Sequence, residues 1–316
     1  MSTQLRVAIF GGTGFVGSYL VDALVETGMH PVLLVRRGSE HKVRHPEKCT
    51  IVAGDIDDAR VVGNMLSGAT AVIYNIGILR EYPDRQVYFR ELHYEGAKRT
   101  MDAALEAGVD RYLLMSANGV RPDGTAYQKT KYEAERYLAS TALDWTVFRP
   151  SVIFGDPRGR TEFATQLLRD IVLPPLPAPL FYSGFLPHNA GLFQLSPVHV
   201  EDVARAFVAS LQQTATTRQV LKLGGPRPLS WRAIIQAIAA AVGRKKTMVA
   251  APAGGVSAVA SLLDRFDSFP ITRDQLKMLM EGNTCGPDAL LSLGITPKTF
   301  SVDNLRYLKP AIREPA

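Results

Sequence analysis

Short apolar runs alternate with longer amphipathic stretches over the first half of the chain. Runs rich in Val, Ile, Leu and aromatic residues predict strands at 6–10, 31–35, 50–53, 71–74, 112–115 and 145–148. Helical periodicity predicts helices at 14–26, 58–66, 88–107 and 126–141. Strands that are apolar throughout and separated by helices are typical of a parallel sheet covered on both faces. The pattern therefore predicts an α/β fold with a doubly wound parallel sheet.

A glycine-rich turn joins the first predicted strand to the first predicted helix. Its residues are Gly11, Gly12, Thr13, Gly14, Phe15, Val16 and Gly17, and positions 12–17 have the spacing G-x-G-x-x-G. Such glycines permit a tight turn, a close approach of pyrophosphate to the backbone, and packing of the helix on the strand. The helix N-terminus then presents free N–H groups to the phosphates. Strand, turn and helix together predict a Rossmann-type dinucleotide site.

The end of the second predicted strand bears on the choice of dinucleotide. NAD-binding proteins usually carry an acidic residue there that binds the ribose hydroxyls. This chain has Arg36 and Arg37 instead, followed by Lys42 and Arg44. A guanidinium binds a 2′-phosphate through paired, charge-assisted hydrogen bonds, so the position favours NADP(H) over NAD(H). The alternative is a solvated basic loop.

The pattern changes after Pro150. Residues 171–188 contain five prolines among large apolar side chains, which excludes a long helix or a central strand. The stretch predicts either an apolar surface loop or the wall of a pocket for an apolar substrate. Further helices are predicted at 199–211, 229–242, 261–267 and 272–281. We expect residues 1–155 to form the dinucleotide-binding core, with 196–224 returning to it, and residues 156–195 and 225–316 to form a small C-terminal substrate-side lobe.

Tyr127 and Lys131 have the spacing Y-x-x-x-K near the start of the fourth predicted helix. Residues i and i+4 share a helix face, so the lysine would lower the pKa of the phenol and could also bind ribose. Ser116 ends the preceding strand, at the sheet edge where ligands bind. Tyr94 and Lys98 repeat the spacing in the middle of a helix, where packing is the ordinary role. The predicted catalytic residues are therefore Ser116, Tyr127 and Lys131.

The glycine turn, Ser116 and the segments 127–131 and 149–155 together resemble the short-chain dehydrogenase/reductase superfamily. Three further stretches, 93–97, 196–204 and 271–279, resemble its atypical branch, which contains the nucleotide-binding accessory subunit of mitochondrial complex I and its bacterial relatives. This resemblance covers nearly the whole chain. It implies a Rossmann core with a small C-terminal lobe and a catalytic set at the serine, tyrosine and lysine named above. It also implies cofactor contacts at Asp55, Gly77, Lys131, Pro150 and Val152.

The resemblance has two departures. His93 stands where many extended members carry asparagine, which puts a role of that helix in a proton relay in doubt. The interval between Ser116 and Tyr127 is also slightly short for the superfamily. In the complex I subunit the resemblance implies a structural cofactor, so a retained motif alone does not prove catalysis.

Composition narrows the classes of partner. The formal charge of +6 suits an anionic ligand and is too small and scattered to indicate nucleic acid. Two cysteines give no disulfide framework and fit a reducing compartment. His41, His45 and Cys49 are spaced by four, but neighbouring Lys and Arg would repel a cation, so we predict no metal site. Without an apolar run of about 18 residues we expect no transmembrane segment, and a cytoplasmic location with peripheral contact to the inner membrane.

Two functions follow from these observations. The first is an NADP(H)-dependent oxidoreductase acting on a carbonyl or hydroxyl of an apolar small molecule, such as a quinone-like compound. The second is a non-catalytic dinucleotide-binding subunit or assembly factor of a respiratory or membrane-linked complex. The serine, tyrosine and lysine favour the first, and the resemblance to a complex I subunit favours the second.

Overall fold

The computed structural model describes residues 4–254 and 272–309, so the helix predicted at 261–267 lies outside the described residues. The chain divides into two compact units. Unit 1 comprises Met1–Pro150, Val200–Lys222 and Ala289–Ile295. Unit 2 comprises Ser151–His199, Leu223–Asp288 and Thr296–Ala316. The assignment of cofactor binding to residues 1–155 and 196–224, and of substrate binding to residues 156–195 and 225–316, stays a prediction.

The secondary structure follows the chain in this order. The strands are β1 Arg6–Phe10, β2 His30–Val35, β3 Thr50–Ala53, β4 Ala71–Tyr74, β5 Arg111–Met115, β6 Asp144–Pro150, β7 Ile153–Phe154, β8 Ala178–Tyr182, β9 Gln194–Leu195, β10 Val198–His199, β11 Gln219–Leu223, β12 Leu229–Ser230 and β13 Met248–Pro252. The α-helices are α1 Phe15–Glu26, α2 Ala59–Leu66, α3 Gly96–Glu106, α4 Ala126–Ala139, α5 Phe163–Leu167, α6 Val200–Gln212, α7 Trp231–Ala241, α8 Arg273–Met280 and α9 Asp288–Ser292.

A seven-stranded sheet with the order β11-β6-β5-β4-β1-β2-β3 forms the centre of unit 1. All pairings from β3 to β6 are parallel. The strand order reverses between β1 and β4, the point at which ligands bind in doubly wound sheets. The predicted α/β class and Rossmann-type sheet are confirmed, and the six predicted strands agree with β1–β6 to within two residues at either end.

Both faces of the central strand β1 are buried. Ala8 and Phe10 of β1 belong to a cluster with apolar residues of α2, α3 and α4. Val7 and Ile9 alternate with them and are also fully buried, and successive side chains of a strand point to opposite faces. A central strand covered on both sides explains the unbroken apolar run at 6–10.

The helix predicted at 88–107 is not one regular α-helix, because Arg90–Glu95 is π-helical and α3 begins at Gly96. The Gly96 N–H donates to the carbonyl of Glu91, five residues earlier. The Leu92 carbonyl accepts instead from the hydroxyl of Tyr74, 2.6 Å away. A Cβ at position 96 would lie 2.7 Å from that hydroxyl, so glycine is needed for the approach.

Three two-stranded sheets, β7–β10, β8–β13 and β9–β12, occur in unit 2. Its core includes Trp231, whose indole N–H donates to the Pro179 carbonyl at 2.9 Å. The proline-rich stretch contains the short strand β8, which the sequence did not predict. Phe181 of that strand is buried, whereas Phe185 is fully exposed. Among the described residues, no helix has the length and apolar character needed to cross a bilayer.

Candidate functional site

Two glycines of the turn between β1 and α1 are required by the protein's own packing. Gly11 has φ +87°, and a Cβ there would lie 2.8 Å from the carbonyl oxygen of Asn75. A Cβ on Gly17 would lie 2.1 Å from the Gly11 oxygen and 2.7 Å from Gly12 Cα. These positions hold the helix against the turn, the packing role expected of the last glycine in the motif.

Gly14 is different, because no contact with the described residues requires glycine there. Its φ is −75°, and a Cβ would meet only the Gly11 oxygen at 3.4 Å. Gly14 is the N-cap of α1, and no side chain caps the helix. A side chain at Gly14 would therefore extend beside the N-terminus of α1 without meeting other protein atoms closely. A helix N-terminus without a side-chain cap fits a pyrophosphate. Thr13, Phe15 and Val16 complete the turn and are not fully buried.

In the basic loop after β2, some side chains form ion pairs with the protein and others do not. Arg36 and Arg37 are exposed, and no hydrogen bond or ion pair of their side chains is found within residues 4–254 and 272–309. Arg44 binds the carboxylate of Asp22 on α1 at 3.3 Å, and His45 Nε2 lies 3.1 Å from the same oxygen. Arg36 and Arg37 are thus the arginines of this loop that remain available to a ligand.

Lys131 lies buried at the carboxyl ends of two neighbouring strands. Its Nζ donates to the carbonyl of Met115 at 2.9 Å, at the end of β5, and to that of Ile76 at 3.3 Å, beyond β4. Burial lowers the pKa of Lys131 to about 8, and the carboxylate of Glu135 opposes this shift. Ser116, next to Met115, is buried, and no described residue hydrogen-bonds its Oγ. A buried hydroxyl without a protein partner is rare and marks this position as a candidate functional residue.

Tyr127 precedes Lys131 by one turn of α4 and is half-buried. Burial raises the pKa of its phenol to about 12. The lowering of this pKa by the lysine, expected from the spacing, is therefore wrong, because burial shifts the pKa of the phenol upward. No protein group among the described residues hydrogen-bonds the Tyr127 hydroxyl. The structure thus leaves this hydroxyl available to a ligand, with Lys131 on the same helix face.

His93 is fully buried within the π-helical segment. Its ring stacks on Phe89 at 5.3 Å and meets the Tyr127 ring edge-on at 5.2 Å. Nε2 accepts the backbone N–H of Ile78 at 3.1 Å, and Nδ1 lies 3.2 Å from Thr130 Oγ1. In the sequence, His93 stands out only as a departure from asparagine. The contacts of its ring depend on the π turn, and hydrophobic periodicity does not predict such a turn.

An ion pair lies one helical turn beyond Lys131. Arg149 of β6 binds both carboxylate oxygens of buried Glu135, with Nε 2.9 Å from Oε1. The pairing raises the pKa of Arg149, against the effect of burial. The sequence indicates Arg149 only as part of the segment 149–155 that resembles the superfamily. The spacing of four between Lys131 and Glu135 was the signal that could have identified the carboxylate.

The remaining predicted residues lie in several places. Asp55 is exposed just after β3, and its carboxylate accepts the Asp57 N–H at 3.3 Å. A Cβ on Gly77 would lie 3.3 Å from Lys131 Nζ, so this glycine lies next to the lysine ammonium. Pro150 ends β6 in unit 1, and Val152 belongs to unit 2. Their contacts with a cofactor stay predictions.

The second tyrosine–lysine motif does not form a comparable site. Lys98 Nζ binds Asp102 at 2.7 Å and lies over the ring of Tyr137. Tyr94 packs edge-on against the same ring, at 6.4 Å. Both side chains meet solvent on the helix surface, so this pair provides a control for experiments on Tyr127.

The fold and the glycine turn define a nucleotide-binding protein of the short-chain dehydrogenase/reductase type. Residues 11–169 match the family described as NAD(P)H-binding. The chain belongs to this NAD(P)H-binding family, and the resemblance to atypical short-chain dehydrogenases/reductases is confirmed.

Curated relatives extend over most of the chain. The NADH-ubiquinone oxidoreductase 40 kDa subunit of Neurospora crassa mitochondria is 25% identical over 95% of this chain and 78% of its own length. The ceramide reductase of Caulobacter vibrioides is 28% identical over 86% of this chain and 82% of its own. Among solved structures, UDP-glucose 4-epimerase of Thermus thermophilus in complex with NAD has a TM-score of 0.73 at 20% identity, covering 99% of this chain and 100% of the epimerase chain. The last similarity establishes the fold alone.

Proposed function

We propose that this protein is an NADP(H)-dependent oxidoreductase that reduces the carbonyl group of an apolar molecule. The observation that carries the proposal is the buried Lys131 ammonium, bound to two strand-end carbonyls one turn from the half-buried Tyr127. Keeping a lysine buried is unfavourable for folding, and such groups cluster at functional sites. A bound nicotinamide would supply the two electrons as hydride.

Each side chain has a separate role. Tyr127 donates its proton to the carbonyl oxygen, a role open to this phenol because it is protonated at neutral pH. Lys131 binds the ribose and stabilises the phenolate that forms. Ser116 donates a hydrogen bond to the carbonyl oxygen, which would give its buried hydroxyl a partner.

The experiment compares Tyr127→Phe with the parent. Turnover should fall by about 10²–10⁴-fold, because the ring still packs but the proton donor is gone. Dinucleotide affinity should stay nearly unchanged. The assay follows NADPH absorbance in a screen of quinones and apolar ketones, including lipid carbonyls, which the similarity to a protein named ceramide reductase supports. Tyr94→Phe is the matched control and should change neither quantity. Equal turnover by parent and Tyr127→Phe would contradict the proposal.

The preference for NADP(H) rests on Arg36 and Arg37. We expect NADPH to raise the melting temperature more than NADH at equal concentration, because ligand bound to the native state stabilises it by mass action. Replacing both arginines by alanine should remove the difference. Arg136→Ala, at an exposed arginine of α4, should preserve it. An equal or larger shift with NADH in the parent would overturn the assignment.

A second candidate is a non-catalytic subunit or assembly factor of a respiratory complex, peripheral to the inner membrane on its cytoplasmic side. Similarity to the 40 kDa subunit over 95% of this chain favours it. In that case NADPH would stabilise the fold without being oxidised by any carbonyl compound, and Tyr127→Phe would behave as the parent. Affinity purification from the source cells, followed by identification of the bound proteins, would then recover respiratory subunits.

A further inference from the structure

The tautomer of His93 is determined by its two hydrogen bonds. The Ile78 backbone N–H can only donate, so Nε2 must carry no proton. The Thr130 hydroxyl donates to the carbonyl of Ala126 at 2.9 Å, which leaves Oγ1 to accept from Nδ1. His93 is therefore a neutral imidazole with its proton on Nδ1. Burial first, and then the charge of Lys131, lower its pKa to about 2.

The same ring borders both members of the proposed catalytic pair. A Cβ on Gly77 would lie 3.3 Å from Lys131 Nζ and 3.9 Å from His93 Nε2, so the two nitrogens flank this glycine. The backbone segment 76–78 receives Lys131 at the Ile76 carbonyl and is tied to His93 at the Ile78 N–H. On its other side, the imidazole meets the edge of the Tyr127 ring.

We infer that His93 is a positioning residue of the Tyr127–Lys131 pair. Its neutral ring supports the phenol, and its hydrogen bond to Ile78 holds the backbone carbonyl that receives the lysine. A proton transfer through His93 is not part of this role, since both ring nitrogens are occupied by protein groups. The π turn of Arg90–Glu95 is what directs the ring there. This inference rests on the proposed function of Tyr127 and Lys131.

Two substitutions separate the two contacts. His93→Phe retains a ring against Tyr127 and removes the acceptor for Ile78, so the Ile76 carbonyl, one of the two that bind Lys131, is no longer held in place. We expect NADPH to bind about 10- to 100-fold more weakly, the scale of a misplaced positioning group. His93→Gln places an amide oxygen within reach of Ile78 but removes the ring. It should bind NADPH nearly as the parent does, while kcat falls and KM for the carbonyl substrate changes little.

A merely structural role would give a different result, in which both variants lose affinity and turnover in parallel with melting temperature. His30→Phe is the matched control, because His30 Nε2 also lies against a threonine hydroxyl, Thr50 Oγ1 at 2.8 Å, but at the start of β2. It should leave NADPH affinity unchanged. Affinity of His93→Phe equal to that of the parent, or parallel losses in both His93 variants, would overturn the inference.

A measurement without turnover keeps this test separate from the proposed function. Long-range ¹H–¹⁵N spectra of histidine-labelled protein report the tautomer directly, and His93→Gln identifies the His93 signals among the six histidines. We expect the proton on Nδ1; a proton on Nε2 would contradict the inference. If the parent oxidises no NADPH with any carbonyl, the enzyme proposal fails, yet the affinity and tautomer results still decide the role of His93.

Should His93→Phe fail to fold, Thr130→Val takes its place. This change nearly preserves side-chain shape and removes the acceptor for Nδ1. The Ile78 N–H would still hold the proton on Nδ1, but the buried Nδ1–H would lose its partner and the ring would no longer be fixed from both sides, so NADPH binding should weaken. Parent-like NADPH affinity in a folded Thr130→Val protein would count against the inference.

Discussion

The glycine turn consists of consecutive residues between β1 and α1, whereas the surroundings of Lys131 come from segments near residues 76, 93, 115 and 131. In the turn, backbone conformation and steric space decide where only glycine fits. Around Lys131, a buried charge is compensated by carbonyl oxygens that distant segments contribute. A site made of backbone tolerates few side chains, and a site made around a buried charge tolerates few changes of polarity.

The two glycines Gly14 and Gly17 sharpen this comparison within the turn itself. Both belong to one sequence motif, yet the protein's packing requires only Gly17. The packing requirement at Gly17 and the ligand requirement predicted for Gly14 can therefore be tested separately by substitution.

Gly17→Ala should have the largest effect. Its Cβ would lie 2.1 Å from the Gly11 oxygen, so α1 would have to move away from the turn. The destabilisation should exceed the roughly 1–3 kcal/mol typical of overpacking, because backbone atoms cannot rotate aside. Chemical denaturation checks this prediction. A variant as stable as the parent would show that the turn is more adaptable than its geometry indicates.

Gly14→Val should abolish dinucleotide binding and leave the protein folded. The added side chain meets little of the protein but occupies the space beside the helix N-terminus where pyrophosphate would bind. The measurement pairs a NADPH titration with the melting temperature of the ligand-free variant. Undiminished binding by a folded Gly14→Val protein would show that the phosphates bind elsewhere.

Lys131→Met should have a smaller and pH-dependent effect. NADPH affinity should fall about tenfold or more, the scale of a lost charge-assisted hydrogen bond. The folded pKa of Lys131 is about 8, below its ordinary 10.5. Between these values the unfolded chain binds more protons, so this lysine makes stability rise with pH across that window.

Below the window both states are protonated, and the cost of burying the charge is present in full. Lys131→Met removes this contribution, so its free energy of unfolding should rise less than that of the parent between about pH 8 and about pH 10. Lys129→Met, at an exposed lysine of the same helix, is the control and should behave as the parent. Identical pH dependence in the parent and Lys131→Met would contradict the shifted pKa.

Features that depend on residues close together in the sequence could be predicted from it. The six strands and the glycine turn were predictable, because an apolar run and a glycine spacing are each contained within a few neighbouring residues. The pairing of Tyr127 with Lys131 on one helix face was predictable for the same reason. Binding of a 2′-phosphate by Arg36 and Arg37 stays a prediction. The structure adds that Arg44, in the same loop, is already paired with Asp22.

By itself, the sequence determined the α/β class, the place of the glycine-rich turn and the identity of the residues at the sheet edge. Only the tertiary structure decided the environment of those residues. The π turn that orients His93 depends on Tyr74, distant in sequence, reaching the Leu92 carbonyl. The pKa of Tyr127 is raised, because neighbouring segments bury the phenol. Desolvation depends on every element packed around a group, and no local spacing encodes it.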